Sequence, residues 1–199
     1  SVERPYLHLV DGGVADNLGM RSVLDTFEVL EALSESGTRT PFDNVRRIIV
    51  FVVNSLSEPA TDWDRSEEPP GTVATMLKSA GTPIDRNSFE NVEQLRDTAA
   101  RWRTMRLIAN SKAMAANTDP AVAKAVRVPK AEIYAIDVSF AALADKKEFA
   151  YLNQQPTSFV LPPEAVDRLR AAAGTIIATS PEFQRLLKDL DAKVVADPK

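Results

Sequence analysis

The chain has 199 residues, 44% hydrophobic and 26% charged, which is enough apolar material for one domain with a sizeable core. Its 24 Lys and Arg against 28 Asp and Glu leave a net charge of −4, which argues against nonspecific nucleic-acid binding. The absence of cysteine excludes disulfides and thiolate chemistry, and a single histidine excludes a multi-histidine metal cluster within this chain. No apolar run approaches the ~20 residues that cross a bilayer.

The first predicted element is a short strand followed by a tight turn. Residues 6–10 (Tyr-Leu-His-Leu-Val) are apolar except for the histidine and are closed by the Asp-Gly-Gly of residues 11–13. Two glycines supply backbone angles that other residues disfavour. A helix is predicted next, because apolar residues recur at helical spacing from Met20 to Leu30 and Gly37 lies just past the expected end.

The second predicted strand differs sharply from the segment that follows it. Residues 48–53 (Ile-Ile-Val-Phe-Val-Val) are six apolar residues in a row, which is typical of a parallel strand buried on both faces. Residues 55–87 hold four prolines and several acids, so a long surface excursion is predicted there, with a short helix near Val73 to Leu77.

A long amphipathic helix is predicted from Ser88 to about Ala116, with Trp102 turned inward. The apolar positions at helical spacing are Phe89, Val92, Leu95, Ala99, Trp102, Met105 and Ile108. Four arginines flank Trp102, namely Arg96, Arg101, Arg103 and Arg106. They suggest phosphate or membrane-surface contact, although an ordinary exposed helix face is the expected interpretation.

The remaining elements are a third strand over residues 131–138 and a helical tail over 156–199. One tail helix is predicted to begin at Pro163, and another has Ser180 as N-cap and Pro181 in its first turn. The order of strands and helices is that of a layered α/β domain with a mainly parallel sheet flanked by helices.

The Asp-Gly-Gly turn is the leading candidate for chemistry. Asp11 follows the predicted strand directly, and open α/β sheets place their active-site crevices at the carboxyl ends of strands. Gly12 and Gly13 let backbone or substrate approach the carboxylate closely. The alternative is structural: Asp11 is a turn residue, and Asp16 or Asn17 caps the helix that follows.

The wider pattern resembles a known family. Residues 9–19, with Asp-Gly-Gly followed by Asp-Asn-Leu, closely resemble the second catalytic block of the patatin-like phospholipases. The tail from Gln155 to Phe183 is similar to the carboxyl-terminal region of bacterial members, so the resemblance spans essentially the whole chain. It implies that residues 1–199 are the carboxyl-terminal part of a patatin-like α/β domain. It also implies a lipid acyl hydrolase with a Ser–Asp dyad, in which Asp11 is the base and no metal or organic cofactor is needed.

The dyad needs a serine that this sequence does not supply in the expected setting. A serine hydroxyl is a weak nucleophile without a base in hydrogen-bond reach, and desolvation must raise the basicity of a carboxylate whose ordinary pKa is ~3.9. The family's nucleophile lies in Gly-x-Ser-x-Gly, and none of the seven glycines frames a serine in this way. The serine and the oxyanion loop are expected upstream of Ser1, with the parent acting on a lipid or acyl ester.

Two consequences and one rival hypothesis follow. The isolated chain should be inactive, and a sheet without its neighbouring strands should expose an edge and apolar surface that favour self-association. The rival is a non-catalytic α/β interaction domain in which Asp11 is only a turn residue.

Two further groups of residues carry weaker signals. His8 lies three residues before Asp11, which in a regular strand directs it to the opposite face, so a packed or edge histidine is expected. An acidic group in the predicted excursion lacks the glycine and spacing of a calcium loop and is interpreted as a solvated loop; its members are Asp62, Asp64, Glu67 and Glu68.

Overall fold

The computed structural model describes residues 16–54, 67, 69–156, 158 and 160–194. The strand and turn predicted over residues 6–13 lie outside the described residues, and so do residues 55–66 of the predicted excursion.

The helices and strands are labelled here in chain order. Helix α1 (Met20–Ser36) leads through a 3-10 turn (Pro41–Asn44) to strand β1 (Arg47–Asn54), and the long helix α2 (Thr72–Ala109) follows. Two short helices, α3 (Lys112–Ala115) and α4 (Pro120–Ala125), precede strand β2 (Glu132–Ser139). After a 3-10 turn (Phe140–Ala142) come α5 (Lys146–Leu152), α6 (Pro163–Thr179) and α7 (Pro181–Leu190).

The two strands pair in parallel, in a register that runs from Arg47 opposite Glu132 to Asn54 opposite Ser139. Parallel pairing requires a crossover connection, and α2 lies within it. Helices contact both faces of β2. The fold of the described residues is therefore mixed α/β, with a two-stranded parallel sheet flanked by helices, as the order of elements predicts.

The core on one face of the sheet joins α1 and α2 to both strands. Phe27 of α1 and Trp102 of α2 meet with their ring centroids 5.5 Å apart, and Leu95 and Ile133 are fully buried beside them. Trp102 has no exposed surface, which confirms its predicted inward position.

The core on the opposite face covers β2. Tyr134, Ile136 and Val138 alternate with the residues of the first core, as strand geometry requires, and pack against α5, α6 and α7. Ile176 of α6 and Leu186 of α7 are buried there. This core is built by the helical tail, whose two main helices are confirmed.

The predicted ends of several helices are also confirmed. Gly37 ends α1 in the left-handed region at a φ of 76°, where its N–H donates to carbonyls of the last turn. The Ser180 hydroxyl accepts a hydrogen bond from the Phe183 N–H at 3.4 Å, and Pro181 follows in the first turn of α7.

The start of α2 departs from the prediction. The helix begins at Thr72 rather than Ser88 and runs through Gly81 and Pro83, the residues whose low helix propensity favours a break. The prediction of a surface excursion is therefore wrong for residues 72 to 87, although a helix near Val73 was expected. Phe89, predicted to lie on the buried face, is 66% exposed.

Strand β1 departs from the prediction as well. It was expected to be buried on both faces, but Ile49, Phe51 and Val53 are 43%, 47% and 68% exposed among the described residues. These side chains lie on the face of Tyr134 and Ile136, where α6 and α7 pack on β2. The prediction of burial on both faces is wrong because an apolar sequence favours burial but does not determine whether a helix packs on the second face of the strand.

Candidate functional site at the carboxyl ends of the strands

Most of the candidate residues that the sequence indicates, the Asp-Gly-Gly motif among them, lie outside the described residues. They are His8, Asp11, Gly12, Gly13, Asp62, Asp64 and Glu68. Geometry is therefore available for the residues that follow the Asp-Gly-Gly motif and for the carboxyl ends of β1 and β2.

Asp16 bonds to the start of the helix that follows the motif, although the N-cap residue is Gly19 and neither Asp16 nor Asn17. Its two carboxylate oxygens accept hydrogen bonds from the backbone N–H groups of Met20 and Arg21, each at 2.9 Å. Gly19 adopts a left-handed φ of 65° at the helix start, and Asn17 is exposed in the turn before it. Asp16 thereby satisfies donors that a helix N-terminus leaves without partners, so its carboxylate has a structural task.

The helix to which Asp16 bonds is firmly attached to the sheet. Met20, Leu24, Phe27 and Leu30 form the buried stripe of α1 at helical spacing, and they belong to the core that includes β1 and β2. The chain that leaves the Asp-Gly-Gly motif therefore enters a helix with a defined position on the sheet.

A cleft of about 410 Å³ lies at the carboxyl ends of the strands. Its lining includes Asn54 at the end of β1, Asp137 near the end of β2, and Arg96 and Phe89 of α2. Parallel sheets hold their ligands at this edge, so the cleft is where the topology favours a site.

Asp137 is an acid of this cleft whose pKa departs from its ordinary value. Its Oδ2 accepts a hydrogen bond from Arg96 Nη2 at 3.1 Å, while its buried Oδ1 has no hydrogen-bond partner among the described residues. Burial raises the pKa of Asp137, and the nearby Arg96 opposes this shift. A carboxyl group with a raised pKa in a cleft is a candidate functional group.

Asp137 belongs to no motif of the sequence and is not among the predicted site residues. The available signal was an acidic residue within an otherwise apolar strand, close to the carboxyl end of that strand. Its environment depends on Arg96, which lies 41 positions away in the chain, so the sequence alone does not show the pairing.

A second, apolar cleft of about 280 Å³ opens beside the first. It is lined by Val53 and Val138 at the strand ends, Phe140, and the α6 residues Leu169, Ala173 and Ile176. Phe140 and Asn54 belong to both clefts. Polar and apolar surfaces are therefore adjacent at this edge of the sheet.

The arginines of α2 do not form a simple solvated face. Arg96 bonds to Asp137, and Arg101 pairs with Glu31 of α1. Arg103 and Arg106 both pair with Glu132 of β2. Each of the four therefore joins α2 to another element, which corrects the expectation of an ordinary exposed face.

Metal ligation and membrane spanning find no support in the part of the chain that the structure describes. No group of three or more His, Cys, Asp or Glu side chains there could hold a metal ion. None of the helices described is both long enough and apolar enough to cross a bilayer.

Comparison with known proteins adds no relative. The chain has no significant match among protein-family models, curated proteins or solved structures. The resemblance to patatin-like phospholipases therefore rests on the residues and motifs of the sequence.

Proposed function

We propose that this chain is part of a patatin-like lipid acyl hydrolase in which Asp11 is the base of a Ser–Asp dyad. The observation that carries the proposal is the sequence of residues 9–19, in which Asp-Gly-Gly is followed by Asp-Asn-Leu. The nucleophilic serine and the oxyanion loop are contributed from outside these 199 residues, because the chain contains no Gly-x-Ser-x-Gly.

The proposed reaction is hydrolysis of a lipid acyl ester in two steps. The serine Oγ attacks the ester carbonyl while its proton passes to the Asp11 carboxylate, and the alcohol leaves with a proton as an acyl-serine forms. Water then attacks the acyl-serine, so that the fatty acid is released and the serine is restored. One carboxylate can accept the proton of the nucleophile and return it to the leaving group in each step, so the chemistry needs no metal or organic cofactor.

The described residues support the proposal in two ways. The helix that follows the motif in the chain donates hydrogen bonds to Asp16 at its start and packs on a parallel sheet, and open α/β sheets carry their sites at the carboxyl edge of the strands. The same edge carries an apolar cleft beside a polar one, which matches an ester joining an acyl chain to a polar group. The proposal also includes that the longer protein reaches its substrate by contacting a lipid surface.

The first experiment compares two aspartates of the motif region in the longer protein that carries the serine. Asp11→Asn removes the proton acceptor but keeps the side-chain shape, so kcat should fall by roughly 10³ to 10⁴ with little change in Tm. Asp16→Ala removes the hydrogen bonds that Asp16 accepts from the helix start, so it should lower stability by about 1 kcal/mol and leave kcat within a few-fold.

The control for the base is the histidine. His8→Gln should leave kcat within a few-fold, and the pH–rate profile should lack a limb near the histidine pKa of ~6.5. If His8→Gln abolishes activity while Asp11→Asn spares it, the dyad is refuted.

The second experiment uses the 199-residue chain alone. It should hydrolyse p-nitrophenyl acyl esters no faster than buffer does, and a serine-directed phosphonate should label no serine stoichiometrically. Saturating label on one of its own serines, located by mass spectrometry, would show that the chain carries its own nucleophile and overturn the half-site proposal.

One observation favours the rival, a non-catalytic interaction domain. The exposed Ile49, Phe51 and Val53 form an apolar strip, and such strips mark contact surfaces. The two proposals differ in the effect of Asp11→Asn, because a turn residue without a catalytic role would change Tm more than rate.

A further inference from the structure

A third cleft lies at the amino ends of the strands, at the opposite end of the sheet from the candidate site. It has a volume of about 540 Å³, and four arginines line it together with two acids and Tyr134. The arginines are Arg46, Arg47, Arg103 and Arg185, and the acids are Glu132 and Asp189. We call it the arginine cleft.

Glu132 is shared by several guanidinium groups. Arg103 Nε donates to its Oε1 at 3.0 Å, and Arg185 Nη1 donates to the same oxygen at 2.7 Å. Arg106 Nη2 donates to Oε2. Burial lowers the pKa of Arg106, and so do the neighbouring charges of Arg103 and Arg185. Like charges are therefore crowded around one carboxylate.

The acids near the cleft do not balance its arginines. Five arginines, the four that line it and Arg106, face three carboxylates, those of Glu132, Asp189 and the nearby Glu182. Two positive charges remain unbalanced, in a chain whose net charge is −4.

Arg46 is the arginine of this set whose side chain makes no hydrogen bond or ion pair with the described residues. Its side chain is exposed on the lining of the cleft, and no carboxylate of the described residues pairs with it. Its strand neighbour Arg47 donates from Nη2 to the backbone oxygen of Asp189 at 3.0 Å. A ligand would therefore meet one guanidinium that is not already committed.

The other guanidinium groups are held in place before any ligand arrives. Arg185 lies over the Tyr134 ring at 4.0 Å and also donates to Glu182 at 2.7 Å. The Tyr134 hydroxyl donates to Asp189 Oδ2 at 2.8 Å. Guanidinium groups positioned in this way need little reordering to bind an anion, which lowers the entropic cost of binding.

We propose that the arginine cleft binds a phosphoryl dianion. The two unbalanced charges match a dianion better than a carboxylate, and guanidinium groups bind phosphate oxygens in pairs. The open mouth of the cleft admits a phosphoryl group that is part of a larger molecule. Two sources share this chemistry: a free phosphate or phosphorylated small molecule, and the phosphate of an anionic lipid headgroup.

The test measures binding of inorganic phosphate to the 199-residue chain by ³¹P NMR titration at constant ionic strength in mildly alkaline buffer. Arg46→Gln removes the uncommitted guanidinium and should weaken binding about tenfold, the scale of one charge-assisted hydrogen bond. Its matched control is Arg86→Gln, an exposed arginine of α2 outside the cleft that pairs with Glu90 at 2.7 Å, and it should leave the affinity unchanged.

A second arm identifies the source by co-sedimentation with phosphatidylcholine vesicles that contain phosphatidic acid. If a lipid headgroup is the ligand, the chain binds these vesicles, Arg46→Gln reduces binding, and inorganic phosphate competes. If a free phosphate is the ligand, phosphate binds and the vesicles do not. The proposal is overturned if neither probe binds, or if Arg46→Gln and Arg86→Gln have the same effect on binding. Because binding requires no nucleophile, either result leaves the role of Asp11 to its own test.

Discussion

The two strands of the sheet are alike in sequence and different in surroundings. β1 reads Arg-Ile-Ile-Val-Phe-Val-Val-Asn and β2 reads Glu-Ile-Tyr-Ala-Ile-Asp-Val-Ser, so the apolar run is longer in β1. Yet β2 is buried on both faces, whereas β1 shows its Ile49, Phe51 and Val53 face to solvent among the described residues. The more hydrophobic strand is the less buried one.

The cause is the placement of the helices. On one face α1 and α2 cover both strands, while on the other face α6 and α7 cover β2. Burial therefore follows from which elements pack on a strand, and hydrophobicity states only that burial would be favourable. The exposed strip of β1 is a surface that a further element or a partner would stabilise by covering.

The largest effect should come from a pair of substitutions at one register position. Ile136 of β2 is fully buried and lies opposite Phe51 of β1, which is 47% exposed on the same face. Ile136→Ala should cost about 2–5 kcal/mol of the free energy of unfolding, because it leaves a cavity. Phe51→Ala should cost about 1 kcal/mol or less, since its ring is already half in water.

Urea unfolding of both variants measures the difference, and equal m-values establish that the midpoints can be compared. A loss for Phe51→Ala as large as that for Ile136→Ala would show that the outer face of β1 is covered in solution, and the contrast between the strands would be abolished.

A smaller effect concerns the exposed strip itself. The chain should bind a dye specific for exposed apolar surface and self-associate, because the strip is apolar. Replacing both Ile49 and Phe51 by Thr keeps β propensity and should reduce dye fluorescence and the sedimentation coefficient. Val160→Thr, at a residue that is 84% exposed and belongs to neither strand, is the control and should change neither. A monomeric, dye-silent wild type would contradict the assignment of the strip as a contact surface.

The comparison also shows how far the sequence predicts the fold. Both strands, α1 and the two tail helices follow from local signals such as the apolar stripe of α1, Gly37 and the Ser180–Pro181 cap. The start of α2 does not, because Gly81 and Pro83 lower helix propensity locally while the helix continues through them.

For the candidate site, the sequence indicates Asp11, and the motif is specific enough to suggest a reaction. Two other features depend on residues far apart in the chain: Asp137 with Arg96, and the arginine cleft built by β1, α2 and α7. Such sites are created by packing: the sequence indicates the arginines of α2, among them Arg96 and Arg103, but not the residues of other elements that meet them.

The smallest expected effect is the pH dependence of stability that comes from the one acidic position of β2 that faces an apolar position of β1. Asp137 lies opposite Val52, and burial raises its pKa despite Arg96, with Glu93 adding in the same direction as burial. The folded state therefore holds the Asp137 proton more tightly than the unfolded state. This contribution to stability is fully present below the ordinary aspartate pKa of ~3.9 and is lost as pH rises through the folded value.

Asp137→Asn has no proton to lose, so its Tm relative to wild type should rise as pH increases through that window, by less than the loss expected for Ile136→Ala.

Asp145→Asn is the control of opposite sign. Hydrogen bonds from the Glu148 and Lys147 N–H groups lower the pKa of Asp145, so its charge stabilises the fold at higher pH and this is lost on acidification. That variant should lose stability relative to wild type as pH rises. Parallel pH profiles for Asp137→Asn and wild type would mean that water reaches the carboxylate and that its environment is not apolar.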